Sequence, residues 1–205
     1  MHFDKIKNKG QAQLFQSELM ETMTKTHPLV IYSMYLPVIG FLLYYGAAYK
    51  GLGVLHEAWV FIVGALGWSL FEYVMHRKLF HMIVESPRAR KFVYTMHGVH
   101  HEFPRDRERL FMPPVPSIII SAVLFSLFYL AMGIHAFAFF PGFLFGYLLY
   151  GSMHYAIHAF APPKFLKALW RNHHLHHYKA ENKGFGVSSV LWDVVFRTVP
   201  KKEEA

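Results

Sequence analysis

Cysteine is absent from this sequence. That excludes disulfides, thiolate zinc sites, cysteine-bound iron–sulfur clusters and thiolate-ligated haem. Charge is scarce too: Asp, Glu, Lys and Arg make up 17% of the 205 residues, against 54% hydrophobic. That balance is wrong for a water-soluble domain of this size. No G-x-G-x-x-G turn follows a strand pattern, so a nicotinamide-binding unit is not expected. The first 28 residues are polar and mixed in charge. They lack the apolar core of a cleavable signal peptide, and neither a lipidation signal nor a KDEL-type address is visible.

What the chain does have is long apolar runs and histidine. Residues 29–49, 58–75, 115–134 and 136–153 carry a single charge between them, Glu72. Each is long enough, or nearly so, to cross about 30 Å of hydrocarbon as a helix. The last two meet through Gly133–His135 and are expected to form a tight helical hairpin. Pro37 and Pro141 fall within spans, where helices can kink. The expected fold is therefore an all-α integral membrane protein, one domain over residues 1–205. Four transmembrane helices carry a helical cap made of residues 76–114 and 154–205.

The net charge of +8 has two readings, nucleic acid or an anionic membrane. Distribution decides: of the 21 Lys and Arg, all but Lys50 lie in the N-terminal segment, the middle loop or the C-terminal segment. Four spans place those three on one side, which the positive-inside rule assigns to the cytoplasm. Nucleic acid is then not needed as a partner. Within residues 1–28, Phe15, Leu19 and Met23 recur at helical spacing beside Leu14. They predict a helix that lies in the membrane interface or packs on the cap.

Of the 15 His, all but His2, His27, His56 and His135 fall in four clusters. These are His76-x4-His81, His97-x2-His100-His101, His154-x3-His158 and His173-His174-x-His176-His177. The assigned topology brings all four to one membrane face. On a helix, positions i, i+3 and i+4 share an arc of roughly 100°. HxxHH therefore turns three imidazoles to one side, and HxxxH two. In HxxxxH the rings start roughly 140° apart, so they converge only if the helix ends or bends between them. Neutral imidazole suits iron, zinc, copper and nickel. One zinc needs only three or four ligands, so ten His argue for two metals. His174 is the odd member of its cluster, and the four scattered His read as ordinary structural or exposed residues.

The series HxxxxH, HxxHH, HxxxH, HxxHH resembles the membrane fatty acid hydroxylase and sterol desaturase superfamily, and within it the fatty acid 2-hydroxylases. Residues 71–82, 97–114 and 184–198 carry the likeness, which covers about residues 30–198. The last stretch holds no metal ligand, so its similarity is not forced by the chemistry. The resemblance implies a dimetal centre and O2-dependent hydroxylation of an acyl chain, free or sphingolipid-linked, next to its carbonyl. One metal would be held by His76, His81, His97, His101 and His176. The other would be held by His100, His154, His158, His173 and His177. The implied metals are two iron ions, with zinc able to replace them in a purified sample. The chain departs from the eukaryotic pattern in showing no N-terminal cytochrome b5 domain, and a bacterial inner membrane is the expected location.

Several polar residues have expected supporting roles. Glu72 precedes His76 by one helical turn and is expected to orient it from behind as a hydrogen-bond acceptor; pairing with Arg77 or with a backbone donor at the interface is the alternative. Asp106 and Arg109 are expected to form an ion pair that braces the cap or else to be solvated, and Asp193 with Trp192 to pack the C-terminal end. Electrons must come from an external carrier, a ferredoxin or a cytochrome b5-like protein with its reductase. Arg88, Arg90, Lys91, Lys164 and Lys167 are its expected contacts, with contact to anionic lipid as the alternative for any one of them. The competing functions are hydroxylation of a carotenoid or sterol, and metal transport. Transporters place ion ligands near the bilayer midplane, and the mid-span positions here hold none.

Overall fold

The computed structural model describes residues 6–201, so His2 lies outside the described residues. The elements are helical throughout, with no strand among the described residues. In chain order they are α1 (Glu18–Thr22), α2 (Pro28–Lys50), α3 (Val54–Met75), α4 (Pro87–Val93), α5 (Val99–Glu102), α6 (Pro114–Met132), α7 (Ala136–Ala159), α8 (Lys167–Tyr178) and α9 (Leu191–Val195). Two π-helical turns, His76–Phe80 and Tyr94–Gly98, extend α3 and join α4 to α5.

Three stretches are long and apolar enough to cross a membrane: Pro28–Lys50, Val54–Phe80 and Arg107–Ala159. The third is folded back on itself by the turn at Gly133–His135 into α6 and α7. Phe111, just before α6, lies against Gly151 near the far end of α7, so the two helices run antiparallel. Much of the surface of α6 is exposed aliphatic side chains, among them Ile119, Val123, Leu127 and Leu130. A water-soluble protein does not expose so continuous an apolar face; the chain is an integral membrane protein.

Close backbone packing holds α3 to α7. A Cβ added at Gly142 would stand 1.9 Å from the carbonyl oxygen of Phe61, and one at Gly64 would stand 2.0 Å from that of Phe139. Only glycine permits such an approach, the usual basis of tight helix pairs in lipid. An aromatic core of Phe140, Phe143, Tyr147, Trp68 and Phe71 fills the space beside them. On α2, the Tyr35 hydroxyl bonds Ser117 Oγ at 2.6 Å and Ser121 Oγ at 2.8 Å, tying α2 to α6 by polar contacts inside the apolar region.

Three boundaries depart from the sequence expectation. Helix α3 begins at Val54 rather than 58, directly after Gly53. Helix α7 continues to Ala159, so His154 and His158 sit on its last turns and not in a separate cap segment; the helix stops before Pro162 and Pro163. The helix expected over Phe15–Met23 is reduced to the five residues of α1. The Glu21 carboxylate accepts the backbone N–H groups of Leu14 and Phe15, both at 2.9 Å, and so turns the chain back before the helix can start earlier. The segment packs on the cap: Lys7 pairs with Glu102, and Lys25 with Glu108. Arg109, side chain 4% exposed, bridges Glu21 and Asp106. The expected Asp106–Arg109 pair is present, and it also anchors the N-terminal segment.

Candidate metal centre

Ten imidazoles from α3, α5, α7, α8 and the adjoining turns gather into two groups. His76, His81, His97, His101 and His176 each offer a ring nitrogen within 4.8 Å of the others. His100, His154, His158, His173 and His177 do the same. The groups abut, with the rings of His101 and His177 stacked 4.2 Å apart.

Local backbone geometry explains the convergence. The α3 helix widens into its π-helical turn at His76 and ends at His81, which leaves helical geometry with φ −102° and ψ 23°. That change overcomes the angular separation of HxxxxH and brings the two rings to 5.1 Å. The second π-helical turn precedes His100 and His101, so α5 stands between the groups. His97 and His101 face one, and His100 the other. Helix α8 divides likewise, giving His176 to the first group and His173 and His177 to the second.

The nitrogen contacts test whether metals fit. His100 Nε2 lies 2.9 Å from His154 Nε2 and 3.1 Å from His177 Nε2. His173 Nε2 lies 2.9 Å from His158 Nε2 and 3.1 Å from His177 Nε2. In the first group, His97 Nε2 is 3.1 Å from the Nε2 atoms of both His76 and His101. A ring nitrogen carries one proton or one lone pair, so it cannot serve two imidazole neighbours by hydrogen bonding. Donors about 2.1 Å from a shared ion and at right angles to one another are roughly 3 Å apart. His81 Nε2 and His176 Nε2 are buried without a hydrogen-bond partner. An orphaned buried nitrogen needs something to bind, and a cation at the centre of the first group would supply it.

Protonation and tautomer agree with that reading. Burial holds His97, His100, His101, His173, His176 and His177 well below the ordinary imidazole range, reinforced by neighbouring rings. His81 is pushed down to about 2, by burial first and by His76 second. Each is thus neutral, the form that coordinates metal. The outer nitrogens of two rings are fixed: His76 Nδ1 donates to the Phe185 carbonyl at 2.6 Å, and His176 Nδ1 to that of Lys183 at 2.7 Å. Donation there leaves the Nε2 lone pair aimed inward.

Not every expectation held. No hydrogen bond joins Glu72 to His76, and Arg77 bonds the Tyr73 hydroxyl; Glu72 takes backbone donors, the other expectation for it. Its carboxylate accepts the N–H groups of Val187 and Ser188 and the Ser188 hydroxyl. Asp193 is fully buried and does more than pack the C-terminal end: it accepts from the N–H groups of Phe185 and Gly186 and from Thr198 Oγ1. Trp192 Nε1 bonds Ser69 Oγ on α3. His174 stands outside both groups, its Nδ1 on the Trp170 carbonyl at 2.7 Å. His27 caps α2 by accepting the N–H of Leu29, and His56 meets His135 at 3.0 Å. The loop 183–188 was not singled out from the sequence as part of the site. Its signal was the likeness of residues 184–198 in the absence of any ligand.

The fatty acid hydroxylase family profile matches residues 61–198. The ceramide very long chain fatty acid hydroxylase of Saccharomyces cerevisiae is 38% identical over 97% of this chain, which spans 52% of that protein. The dihydroceramide fatty acyl 2-hydroxylase FAH2 of Arabidopsis thaliana is 38% identical over 92% of this chain and 80% of its own length. The human fatty acid 2-hydroxylase is 34% identical, over 93% of this chain and 57% of its own. A solved structure of full-length scs7p, with only the hydroxylase domain visible, superposes with a TM-score of 0.86 at 38% identity, covering 94% of this chain and 74% of that one. This chain belongs to the fatty acid hydroxylase family. It spans about half the length of the yeast and human relatives, and most of the plant one.

Proposed function

We propose that the chain hydroxylates the acyl chain of a lipid at the carbon beside its carbonyl, taking one oxygen atom from O2 at a centre of two iron ions. The observation that carries this reading is the pair of abutting five-imidazole groups, in a chain whose relatives are named as acyl and ceramide hydroxylases. His76, His81, His97, His101 and His176 hold one ion, and His100, His154, His158, His173 and His177 the other. When bound, the metals supply the activation of O2 and the oxidation of the C–H bond. The balance is one O2, two electrons and two protons per acyl C–H, giving the alcohol and one water.

The chain's own residues bind, orient and exclude water. Ten neutral ligands leave the centre with the full positive charge of its ions, which favours electron uptake. Phe80 stacks on His97 at 5.0 Å, and Phe185 lies 5.5 to 5.7 Å from His76, His81 and His176. On the side facing the spans, Tyr150 stacks on His154 at 5.7 Å, with Trp68 beside it at 6.0 Å. These rings keep bulk water from the centre and offer an acyl tail an apolar wall.

In this reading α2, α3, α6 and α7 each cross the bilayer, and one domain carries its centre on the cytoplasmic side, where the basic residues concentrate. In this reading an external carrier with its reductase delivers the electrons. A ferredoxin or a cytochrome b5-like protein fits that role.

Expression in a host that lacks 2-hydroxylated lipids tests the function. Lipid analysis is expected to show acyl chains one oxygen heavier, with the hydroxyl at carbon 2. Unchanged acyl chains alongside altered sterols or carotenoids would overturn the reading.

A further inference from the structure

The loop 183–188, between α8 and α9, directs its hydrogen bonds and ring contacts to one group of imidazoles. Its Lys183 and Phe185 carbonyls accept from His176 and His76. Its Phe185 ring packs on His76, His81 and His176. All three belong to the first group. In the second group the outer nitrogens of His100, His173 and His177 meet no hydrogen-bond partner, and His154 Nδ1 is 3.5 Å from the Leu110 carbonyl.

This loop has no helix or strand to hold its shape. Two buried carboxylates hold it instead, Glu72 through Val187 and Ser188, and Asp193 through Phe185 and Gly186. Neither carboxylate has an ion-pair partner among the described residues. Burying a carboxylate this way costs free energy that only a full set of hydrogen bonds offsets, and each accepts three. The fit also constrains the chain: a Cβ at Gly186 would lie 2.9 Å from Asp193 Oδ2 and 2.2 Å from the Ser189 carbonyl. Glu72 is one turn before His76 on the same helix, so the path from Glu72 through Val187 and Phe185 returns to His76 and closes a rigid ring.

We infer that Glu72 and Asp193 are positioning residues for one metal only. They fix the loop, the loop fixes the rings of His76 and His176, and the affinity of the first group depends on them while that of the second does not. The inference rests on the two-metal reading. Loss of such an outer hydrogen bond costs roughly 10–100-fold in metal affinity.

The test is zinc titration of the purified full chain against a competing chelator. The wild type is expected to hold two zinc ions tightly. Glu72→Ala and Asp193→Ala are each expected to weaken one site 10–100-fold and leave the other at its wild-type affinity. His158→Ala removes a ligand of the second group and should retain one ion. Glu72→Ala combined with His158→Ala should hold that one remaining ion 10–100-fold more weakly than His158→Ala alone, which identifies the group that Glu72 serves. Two tight sites in Glu72→Ala would overturn the inference. So would loss of both ions together with helical content, because that marks a role in the whole fold. If Glu72→Ala does not fold, Glu72→Gln and Ser188→Ala decide. Both keep an acceptor oxygen at position 72 and should weaken the same single site by less. Fewer than two ions in the wild type would instead refute the two-metal reading.

Discussion

His100 Nε2 and His177 Nε2 stand 3.1 Å apart, although the residues are separated by 77 positions in the chain. They come from α5 and α8, and each nitrogen also meets a second imidazole at 2.9 to 3.1 Å. Shared contacts of this kind make each ligand part of a unit. Substituting His97, His101, His173 or His177 by Ala is expected to lower turnover by at least about 100-fold, since removing one member disables the set. His135→Ala and His174→Ala should remain close to wild type, because neither belongs to a group. Turnover and metal content, measured on folded protein, check the contrast. Equal losses in His135→Ala and His101→Ala would refute the ligand assignment.

A second expectation concerns pH. Burial depresses the cap imidazoles, with His81 at about 2 in the folded chain against about 6.5 when unfolded. Between those values the unfolded chain binds more protons than the folded one. Stability of the metal-free protein therefore rises with pH and is lost progressively as pH falls below about 6.5. Metal release should follow the same direction, since protons compete for the same nitrogens. Thermal unfolding and bound metal measured from pH 8 to pH 5 are the checks. A metal-free protein that gains stability over that fall would contradict the assignment of neutral, buried rings.

The α3–α7 contact predicts a packing defect with a remote effect. Gly142→Ala places a methyl group 1.9 Å from the Phe61 carbonyl oxygen, a position only a separation of the helices can relieve. Overpacking of this kind typically costs about 1–3 kcal/mol. The two helices also carry His76, His154 and His158, so the variant should lose metal as well as thermal stability. Retention of wild-type melting and two bound ions would show that the contact tolerates a side chain.

Much of this architecture was legible in the sequence because lipid imposes simple rules. Uncharged runs and the Gly133–His135 turn are each readable without tertiary information. The grouping of His97 with His101 and of His100 across from them was available only through family resemblance. Spacing alone turns all three rings to one side of a helix, and what separates them is the second group of imidazoles on α7 and α8. Glu72 shows where local reasoning ends. Its place one turn before His76 is real, yet its partners lie 115 and 116 positions away, on Val187 and Ser188. No periodicity encodes such a contact. Phe15–Met23 failed for a related reason: the spacing favours a helix, but the Glu21 carboxylate captures the N–H groups of Leu14 and Phe15.

Electron delivery gives the last prediction. The outer side of α8 exposes Lys167, Arg171 and Lys179 around a groove of about 550 Å³ floored by Trp170 and Leu175. The inner side of the same helix carries His173, His176 and His177. An acidic carrier held on these cations, and on Lys164 nearby, would sit one helix thickness from the metals. Charge reversal at Lys164 and Lys167 should raise the KM for the carrier roughly 5–10-fold at low ionic strength, about 1 kcal/mol. The effect should shrink as salt is added, because the Debye length falls from about 10 Å at 0.1 M to about 3 Å at 1 M. Turnover at saturating carrier should change little, since the reversal leaves the ligands untouched. Arg88, Arg90 and Lys91, on α4, are the alternative contacts, and parallel reversals there locate the footprint. The measurement is reconstituted turnover with purified carrier and reductase, at several salt concentrations. Steady turnover without any carrier would refute the need for one. A KM unmoved by every reversal would assign these cations to anionic lipid instead.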